Sequence, residues 1–111
     1  MRRSKYGNVK VKADGYTFDS KAEYRRYREL DLLEKAKKIF FLQVHPEWNI
    51  NINGEKICTY KADFSYTDIK SRGASDSLLV VEDVKGVKTP VYRLKKRLMK
   101  AMFEIDIIEI S

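Results

Sequence analysis

The alternation of apolar and polar residues near the start of the chain predicts a small β-hairpin over residues 8–18. Two short runs with a two-residue period are separated by Asp14-Gly15, a pair typical of tight hairpin turns because both residues tolerate positive φ. The apolar positions of these runs are Val9, Val11, Tyr16 and Phe18. The basic residues 1–7 that precede the hairpin are predicted to form a flexible tail.

The next segment has the pattern of an amphipathic helix. Ser20-Lys21-Ala22-Glu23 is a capping box, in which the serine side chain bonds to the backbone of the glutamate and the glutamate side chain reaches back. The helix is predicted to continue to about Lys38. Its apolar stripe consists of Ala22, Tyr27, Leu30 and Leu33.

The pattern then changes to β-branched and aromatic residues, which favour strands. One strand is predicted over residues 39–52, and Asn53-Gly54 forms the turn to a second strand over residues 56–67. A polar loop follows at residues 71–77. The apolar run after it predicts a central strand over residues 78–85.

A second helix is predicted to begin at Pro90 with Thr89 as its cap, and a last strand to cover residues 105–110. This order of elements predicts an α/β (α+β) fold with a mixed central β-sheet flanked by helices, α-β-β-β-α-β, after the N-terminal hairpin. The length is that of one domain, residues 1–111. The positions with core spacing in the second helix are Val91, Leu94, Leu98, Ala101 and Met102.

The composition excludes several classes of protein. No apolar run exceeds four residues, so no membrane span is predicted, and no apolar segment follows the basic start, so a cytoplasmic location is expected. With one cysteine and one histidine, a multi-cysteine zinc site is excluded, and a metal would need oxygen ligands. His45 lies beside Pro46, which marks a bulge or strand edge, and a lone histidine in a strand is typical of a structural residue. Nothing indicates a small-molecule cofactor.

The charge is basic and clustered. The chain has 23 Lys and Arg against 16 Asp and Glu, a formal net charge of +7, and the excess lies in the tail and on the two predicted helices. Such a surface favours DNA, because the phosphates that it neutralises release condensed counterions. The alternative of ordinary solvated helix faces remains open from charge alone. The residues predicted to contact DNA are Arg25, Arg26, Lys88, Arg93, Lys95, Lys96 and Arg97.

One segment of the central strand combines acids with a lysine. Side chains two residues apart in a strand share a face, so Asp83 and Lys85 point to one side and Glu82 to the other. Asp63 lies on the polar face of the preceding strand and approaches Asp83 if the two strands pair. Two close carboxylates bind Mg²⁺ or Mn²⁺. The alternatives are a plain Asp83–Lys85 ion pair and a hydrogen-bonding role for Asp63, while the capping box alone accounts for Glu23.

The order of these motifs resembles the PD-(D/E)XK nuclease superfamily over nearly the whole chain after residue 18. The matching features are Glu23 in the first helix, Asp63 in Ala-Asp-Phe-Ser-Tyr, and Asp83 in Val-Val-Glu-Asp-Val-Lys-Gly, followed by a basic helix and a last strand. Ala62 stands where the superfamily has proline, a position that varies widely. Only the strand-face argument selects Asp83 over Glu82. The chain is also similar to a small phage-encoded family that has been linked to Holliday-junction resolvases.

The resemblance implies a restriction-endonuclease-like core with a site for Mg²⁺ or Mn²⁺. It implies that Asp63 and Asp83 bind the metal and that the backbone carbonyl of Val84 adds a ligand. Lys85 would then orient or activate the attacking water. Glu23 matches the helix-borne acid of many members, which makes it a further catalytic and metal-binding candidate.

The expected function is a metal-dependent endonuclease that hydrolyses phosphodiester bonds in branched DNA, such as a Holliday junction in phage recombination. A four-way junction needs two symmetrical cuts, which predicts a homodimer. Two alternatives remain. One is a catalytically silent DNA-binding accessory protein of phage with the same fold, and the other is a nuclease subunit that requires a protein partner.

Overall fold

The computed structural model describes residues 9–68 and 78–111, which form two helices and eight strands. In chain order these are β1 (Val11–Ala13), β2 (Tyr16–Phe18), α1 (Lys21–Lys35), β3 (Phe40–Val44), β4 (Glu47–Ile52), β5 (Glu55–Lys61), β6 (Phe64–Thr67), β7 (Leu79–Val84), α2 (Pro90–Phe103) and β8 (Ile107–Ile110). Within these residues, neither helix is long and apolar enough to cross a membrane. The predicted tail at 1–7 and the predicted loop at 71–77 lie outside the described residues.

Both predicted hairpin turns are confirmed. Asp14 and Gly15 join β1 to β2 with φ values of 54° and 82°. Asn53 and Gly54 join β4 to β5 with φ values of 52° and 82°. Two successive positive φ values give a turn whose twist matches that of paired strands, and these residue types adopt them at the lowest cost.

The two strands predicted on either side of the second turn form one long hairpin that is broken in the middle. β3 pairs with β6, whereas β4 and β5 pair in a separate two-stranded sheet. At the break, the N–H of His45 donates to the carbonyl of Asp63 at 2.9 Å, and that of Ala62 donates to the carbonyl of Pro46 at 3.0 Å. His45 has a φ of 58°, and Pro46 has no N–H, so a regular ladder cannot continue here. The prediction of two continuous strands was therefore wrong, although Pro46 does mark the irregularity.

The main sheet contains four strands in the order β3-β6-β7-β8. β7 is antiparallel to β6 and parallel to β8, so the apolar run that predicted a central strand forms an interior one. Parallel neighbours need a long crossover connection, and α2 supplies it. An α+β fold with a mixed sheet and two helices is thus confirmed.

Two apolar clusters surround the main sheet, and β7 alternates between them. Val80 and Val84 face the cluster that includes α1, whereas Val81 belongs to the cluster that includes α2. The buried members of the α1 cluster are Phe18, Tyr27, Leu30, Ile39, Phe64 and Tyr66. The buried members of the α2 cluster are Ile50, Tyr60, Ala62, Val81, Tyr92, Met99 and Ile107. The strand alternation therefore directs Glu82 toward α1 and Asp83 toward α2.

The boundaries of two elements differ from the prediction. α1 ends at Lys35 instead of near Lys38, because Lys37 has a left-handed φ of 61° that a helix cannot include. β8 begins at Ile107, two residues later than predicted. Its late start follows from Glu104, whose φ of 57° ends α2 in the left-handed region.

The core-facing side of α2 was also predicted wrongly. Val91 and Leu94 are 61% and 56% exposed, and the buried residues of this helix are Tyr92 and Met99. Tyr92 explains why a different face of α2 is buried, because its ring packs in the α2 cluster while its hydroxyl donates to Glu109 at 2.8 Å. Of the other predicted core positions, Leu98 is half-buried, and Ala101 and Met102 are exposed, as is Leu33 of α1.

A buried ion pair joins α1 to the interior of the sheet. Glu82 is 1% exposed and accepts from Nε and Nη2 of Arg26 at 2.8 and 2.7 Å. The hydroxyl of Tyr66 donates to the same carboxylate. The hydrogen bond to Glu82 raises the pKa of Arg26 above its ordinary value. A bidentate arginine makes such burial tolerable, since it neutralises the carboxylate and occupies its lone pairs.

Replacement of this arginine tests the ion pair. Arg26→Leu leaves the Glu82 carboxylate buried without a cation, so we expect the free energy of unfolding to fall by about 3 kcal/mol, as measured by urea denaturation. Arg25→Leu is the matched control, because Arg25 is exposed on the same helix and its replacement changes stability by no more than about 0.5 kcal/mol. Equal effects of the two substitutions would contradict the structural role.

Candidate metal centre

The break in the long hairpin determines where Asp63 lies. Asp63 was predicted within a strand, but it occupies the gap between β5 and β6, directly opposite His45. Its carbonyl accepts from His45, and its N–H donates to the carbonyl of Glu82 at 3.2 Å. The backbone is therefore held on both sides, by β3 and by β7, although no regular strand continues through this residue.

Asp63 and Asp83 are linked by reciprocal hydrogen bonds between side chain and backbone. The N–H of Asp63 donates to Oδ1 of Asp83 at 2.9 Å, and the N–H of Val84 donates to Oδ2 of Asp63 at 2.7 Å. The structure thus brings together the two acids that strand pairing was predicted to bring together. Val84 contributes its N–H to this contact, and its carbonyl stays a predicted ligand.

Glu23 serves two purposes at the start of α1. Ser20 caps the helix by accepting from the N–H of Glu23 at 3.1 Å, as the capping box predicts. A capping box predicts that the Glu23 side chain accepts from the N–H of Ser20, but Oε1 of Glu23 accepts from the N–H of the preceding residue, Asp19, at 2.9 Å. Oε2 remains available and lies 2.8 Å from Nε2 of His45. The capping role therefore leaves one carboxylate oxygen for the site.

Glu23, His45 and Asp63 form a mixed cluster of ligand-type atoms. One such atom from each residue lies within 4.8 Å of the other two. Glu23 is 2% exposed, whereas Asp63 and His45 are partly open to solvent. Carboxylate oxygens and an imidazole nitrogen at these separations can hold a divalent cation, and the open side leaves a path for entry.

Asp83 lies on the α2 side of this cluster with a cation beside it. It is 1% exposed, and its Oδ2 accepts from the hydroxyl of Tyr60. Nζ of Lys85 lies 4.0 Å from Oδ2 of Asp83 and 4.4 Å from the centre of the Tyr92 ring. The ring face attracts the ammonium, so Tyr92 holds Lys85 next to the acid.

Both aspartates have elevated pKa values. Burial, together with the charges of Glu23 and Asp83, raises the pKa of Asp63 to about 7, although the N–H of Val84 and the charge of Lys85 oppose the shift. Burial also raises the pKa of Asp83, against the hydrogen bond from Tyr60 and the charge of Lys85. Burial is therefore the main cause of both shifts, and the hydrogen bonds and the charge of Lys85 offset it only in part.

The residues predicted to contact DNA have different environments. The guanidinium of Arg26 is engaged by Glu82 and by Glu29 at 2.9 Å. Nζ of Lys95 donates to the carbonyl of Thr59 at 2.9 Å. The side chains of Arg25, Arg93 and Arg97 are exposed, and Arg93 and Arg97 lie one helical turn apart on α2.

Lys88 and Lys96 both bind one acid of β8. Their Nζ atoms lie 3.1 and 3.0 Å from the carboxylate of Glu109. Together with the hydroxyl of Tyr92, these two lysines lower the pKa of Glu109 to about 2. The acid therefore stays ionised at neutral pH and fixes the outer end of the Tyr92 side chain.

Sequence reasoning did not identify three residues of this site as functional: His45, Tyr60 and Tyr92. The neighbouring Pro46 was a signal for His45, since a proline inside a strand marks an irregularity where a side chain can be redirected. For Tyr60 and Tyr92 the signal was only their aromatic character, which also fits a core position. Their hydroxyl partners, Asp83 and Glu109, are distant in sequence.

A family model matches residues 3–108, and its description is "Protein of unknown function (DUF1064)". Because the match covers nearly the whole chain, the chain belongs to this family. Comparison with curated proteins and with solved structures gave no match. Membership of the family carries no activity with it, so the geometry of the site is the basis for a functional assignment.

Removal of the Asp63 charge tests the electrostatics. The pKa of Asp63 in the folded protein exceeds its ordinary value of 3.8, so the fold binds more protons than the unfolded chain and loses stability as pH rises from about 4 to 7. We expect Asp63→Asn to flatten this slope and, at pH 8 with a chelator present, to be about 3 kcal/mol more stable than wild type. Urea denaturation at pH 5 and pH 8 measures both effects. Asp106→Asn, which changes an exposed acid, is the control, and parallel pH profiles for Asp63→Asn and wild type would contradict the prediction.

Proposed function

We propose that the protein is a divalent-metal-dependent endodeoxyribonuclease with a restriction-endonuclease-like core of the PD-(D/E)XK type, and that it acts on branched DNA. The observation that carries this proposal is the placement of three acids and a lysine around the end of β7. Ligand atoms of Glu23 and Asp63 lie within 4.8 Å of each other, the N–H of Asp63 donates to Asp83, and Lys85 lies beside Asp83. The acids come from α1, from the gap between β5 and β6, and from β7, so only the tertiary fold brings them together.

The residues of the site fit Mg²⁺ or Mn²⁺. Hard oxygen donors suit both ions, and each carboxylate keeps lone pairs beyond those used in its hydrogen bonds. Burial and the charges of Glu23 and Asp83 raise the pKa of Asp63, so a bound cation would favour its ionised, ligating form. When bound, the metal supplies an activated water and stabilises negative charge on the phosphate. Asp63, Asp83 and Glu23 are the proposed side-chain ligands, with the carbonyl of Val84 as a further one.

The chain's own groups have distinct roles in this proposal. Lys85 places its ammonium beside Asp83, where it orients the attacking water and balances charge near the scissile phosphate. Tyr60 fixes the Asp83 carboxylate from the α2 side, and Tyr92 fixes Lys85. Positioning of this kind favours the chemical step, because the groups need no rearrangement at the moment of reaction.

The topology of the main sheet supports the same superfamily. α1 precedes the antiparallel strands β3, β6 and β7, and α2 then leads to the parallel strand β8. Asp83 lies in the last part of the interior strand and Lys85 directly follows its end, and strand ends next to loops are common places for functional residues. A four-way junction as the substrate implies a homodimer with two-fold symmetry, because both strands must be cut at equivalent points.

A silent DNA-binding accessory protein is the second candidate. One observation favours it: in residues 9–68 and 78–111, no buried side-chain nitrogen or oxygen lacks a hydrogen-bond partner. The buried acids thus have hydrogen-bond partners within the protein, and these contacts have a structural role that requires no catalysis. Metal dependence of DNA cleavage separates the two candidates.

A cleavage assay tests the nuclease proposal. Labelled four-way junction and matched linear duplex are incubated with Mg²⁺, with Mn²⁺ or with a chelator. We expect symmetrical, metal-dependent cutting of the junction, and a decrease of about two orders of magnitude or more in Asp83→Asn, which keeps the shape but removes the charge. Asp106→Asn, whose carboxylate is exposed, should cut like wild type.

Each outcome of this assay has a separate meaning. Equal cutting of both substrates supports nuclease activity and contradicts a preference for the four-way junction. Binding of DNA without cutting under every condition rejects an autonomous nuclease and favours the accessory protein or a subunit that needs a partner. Sedimentation of the protein with junction DNA measures the predicted homodimer directly.

The exposed arginines of α2 are expected to bind phosphate groups of the DNA backbone. Removing one such arginine–phosphate interaction reduces the slope of log affinity against log salt by about 0.9. We therefore expect the double substitution Arg93→Ala and Arg97→Ala to weaken binding of all DNA sequences and to lower this slope by about 2. Lys56→Ala on β5 is the exposed control. A slope unchanged by the double substitution would show that DNA binds to another surface.

A further inference from the structure

We propose that Nε2 of His45 is a ligand of the divalent metal and that this nitrogen makes the site select Mn²⁺ over Mg²⁺. The inference rests on the metal-dependent function proposed above and deepens it. It adds a ligand that the resemblance to nucleases does not imply, and it names the class of ion that the site takes.

The geometry suits one ion among three residues. Nε2 of His45 lies 2.8 Å from Oε2 of Glu23, and ligand atoms of these residues and of Asp63 lie within 4.8 Å of one another. Adjacent ligands of an octahedral ion with bonds of about 2.1 Å are about 3 Å apart. Shifts of a few tenths of an ångström therefore convert the hydrogen-bonded pair into two neighbouring ligands.

The backbone and a buried ring hold the imidazole in this position. His45 has a φ of 58°, and its N–H is bonded to the carbonyl of Asp63. Its ring lies beside Phe18, with centroids 6.1 Å apart, and Phe18 is fully buried. A histidine that is preset in this way loses little conformational freedom on binding a metal, which favours affinity.

The identity of the ligand predicts the preference among ions. Mg²⁺ is bound in proteins by oxygen ligands and keeps several waters, whereas imidazole nitrogen is a good ligand for first-row transition metals. Glu23 and Asp63 provide the hard oxygens that Mn²⁺ also accepts. When Nε2 donates its lone pair to the metal, the imidazole is neutral and carries its proton on Nδ1. One nitrogen in an otherwise oxygen site therefore favours Mn²⁺ without excluding Mg²⁺.

The competing explanation is that His45 only donates a hydrogen bond to Glu23. His45→Gln separates the two explanations, because a glutamine side chain reaches a similar distance and offers both an N–H donor and an oxygen that Mg²⁺ accepts. A hydrogen-bonding role predicts similar affinity changes for both ions. A ligand role predicts a decrease that is confined to Mn²⁺.

The experiment measures metal binding without DNA, on protein that carries no histidine tag. His45 is the only histidine of the chain, so nitrogen modulation of an imidazole type in the pulsed electron paramagnetic resonance of bound Mn²⁺ identifies this residue alone. We expect this modulation in wild type and its absence in His45→Gln. Isothermal titration should show a decrease in Mn²⁺ affinity of at least tenfold in His45→Gln, with Mg²⁺ affinity within threefold of wild type. Glu23→Gln is the reference for removal of an oxygen ligand and should reduce the affinity for both ions.

Bound Mn²⁺ without nitrogen modulation in wild type, or an unchanged ratio of the two affinities in His45→Gln, overturns the inference. If His45→Gln does not fold, the modulation in wild type still decides it. Failure of the wild type to bind either ion overturns the inference and the proposed function together. If nitrogen modulation is seen but the protein cuts no DNA, His45 is a metal ligand and the nuclease proposal is rejected. If the protein cuts DNA but shows no modulation, the nuclease proposal is supported and His45 is not a ligand.

Discussion

The break in the long hairpin at His45 and Pro46 governs how the strands around it are arranged. Pro46 has no N–H and His45 has a left-handed backbone, so the ladder ends there, and β4 and β5 pair in a separate sheet. The inner half of the hairpin joins the main sheet, and the outer half carries Ile50 and Tyr60 to the α2 cluster. The same break leaves Asp63 outside any regular strand, where its side chain is free to face Glu23 instead of a neighbouring strand. One local irregularity thus shapes both the core and the site.

The two adjacent acids of β7 are both buried, but they differ in how completely their charges are neutralised. Glu82 is fully paired, since Arg26 binds it in bidentate fashion and Tyr66 donates to it, so its charge stabilises the attachment of α1. Asp83 is equally buried, but its cation is 4.0 Å away and it borders other acids. Burial raises its pKa despite the hydrogen bond from Tyr60 and the charge of Lys85, so the folded protein holds this carboxyl group where its ionised form is disfavoured. Proteins retain such arrangements mainly where a ligand or a reaction uses them.

The basic character of the chain is likewise divided. Part of the positive charge is structural, because Arg26, Lys88 and Lys96 neutralise acids of the sheet. Other cations are exposed, including Arg25 on α1 and Arg93 and Arg97 on α2, and these are the ones available to the proposed DNA substrate. The exposed apolar residues Val91 and Leu94 lie on the same helix, so α2 combines charge and apolar surface outside the fold. Net charge therefore overstates the positive charge that is free at the surface, and the individual environments indicate which residues to test for the proposed DNA binding.

Features that depend on neighbours a few residues apart were predictable from the amino-acid sequence alone. Asp14-Gly15 and Asn53-Gly54 specify turns, Ser20 and Thr89 specify helix starts, and the two-residue period of β7 separates Asp83 from Glu82, because each follows from local backbone geometry. The break opposite Asp63, the inward face of α2 and the partners of His45, Tyr60 and Arg26 were set by packing across the fold. They depend on contacts between residues far apart in the sequence, such as Asp63 with His45, 18 positions away, and Arg26 with Glu82, 56 positions away. No local pattern encodes a contact of that kind, since packing across the sheet selects it.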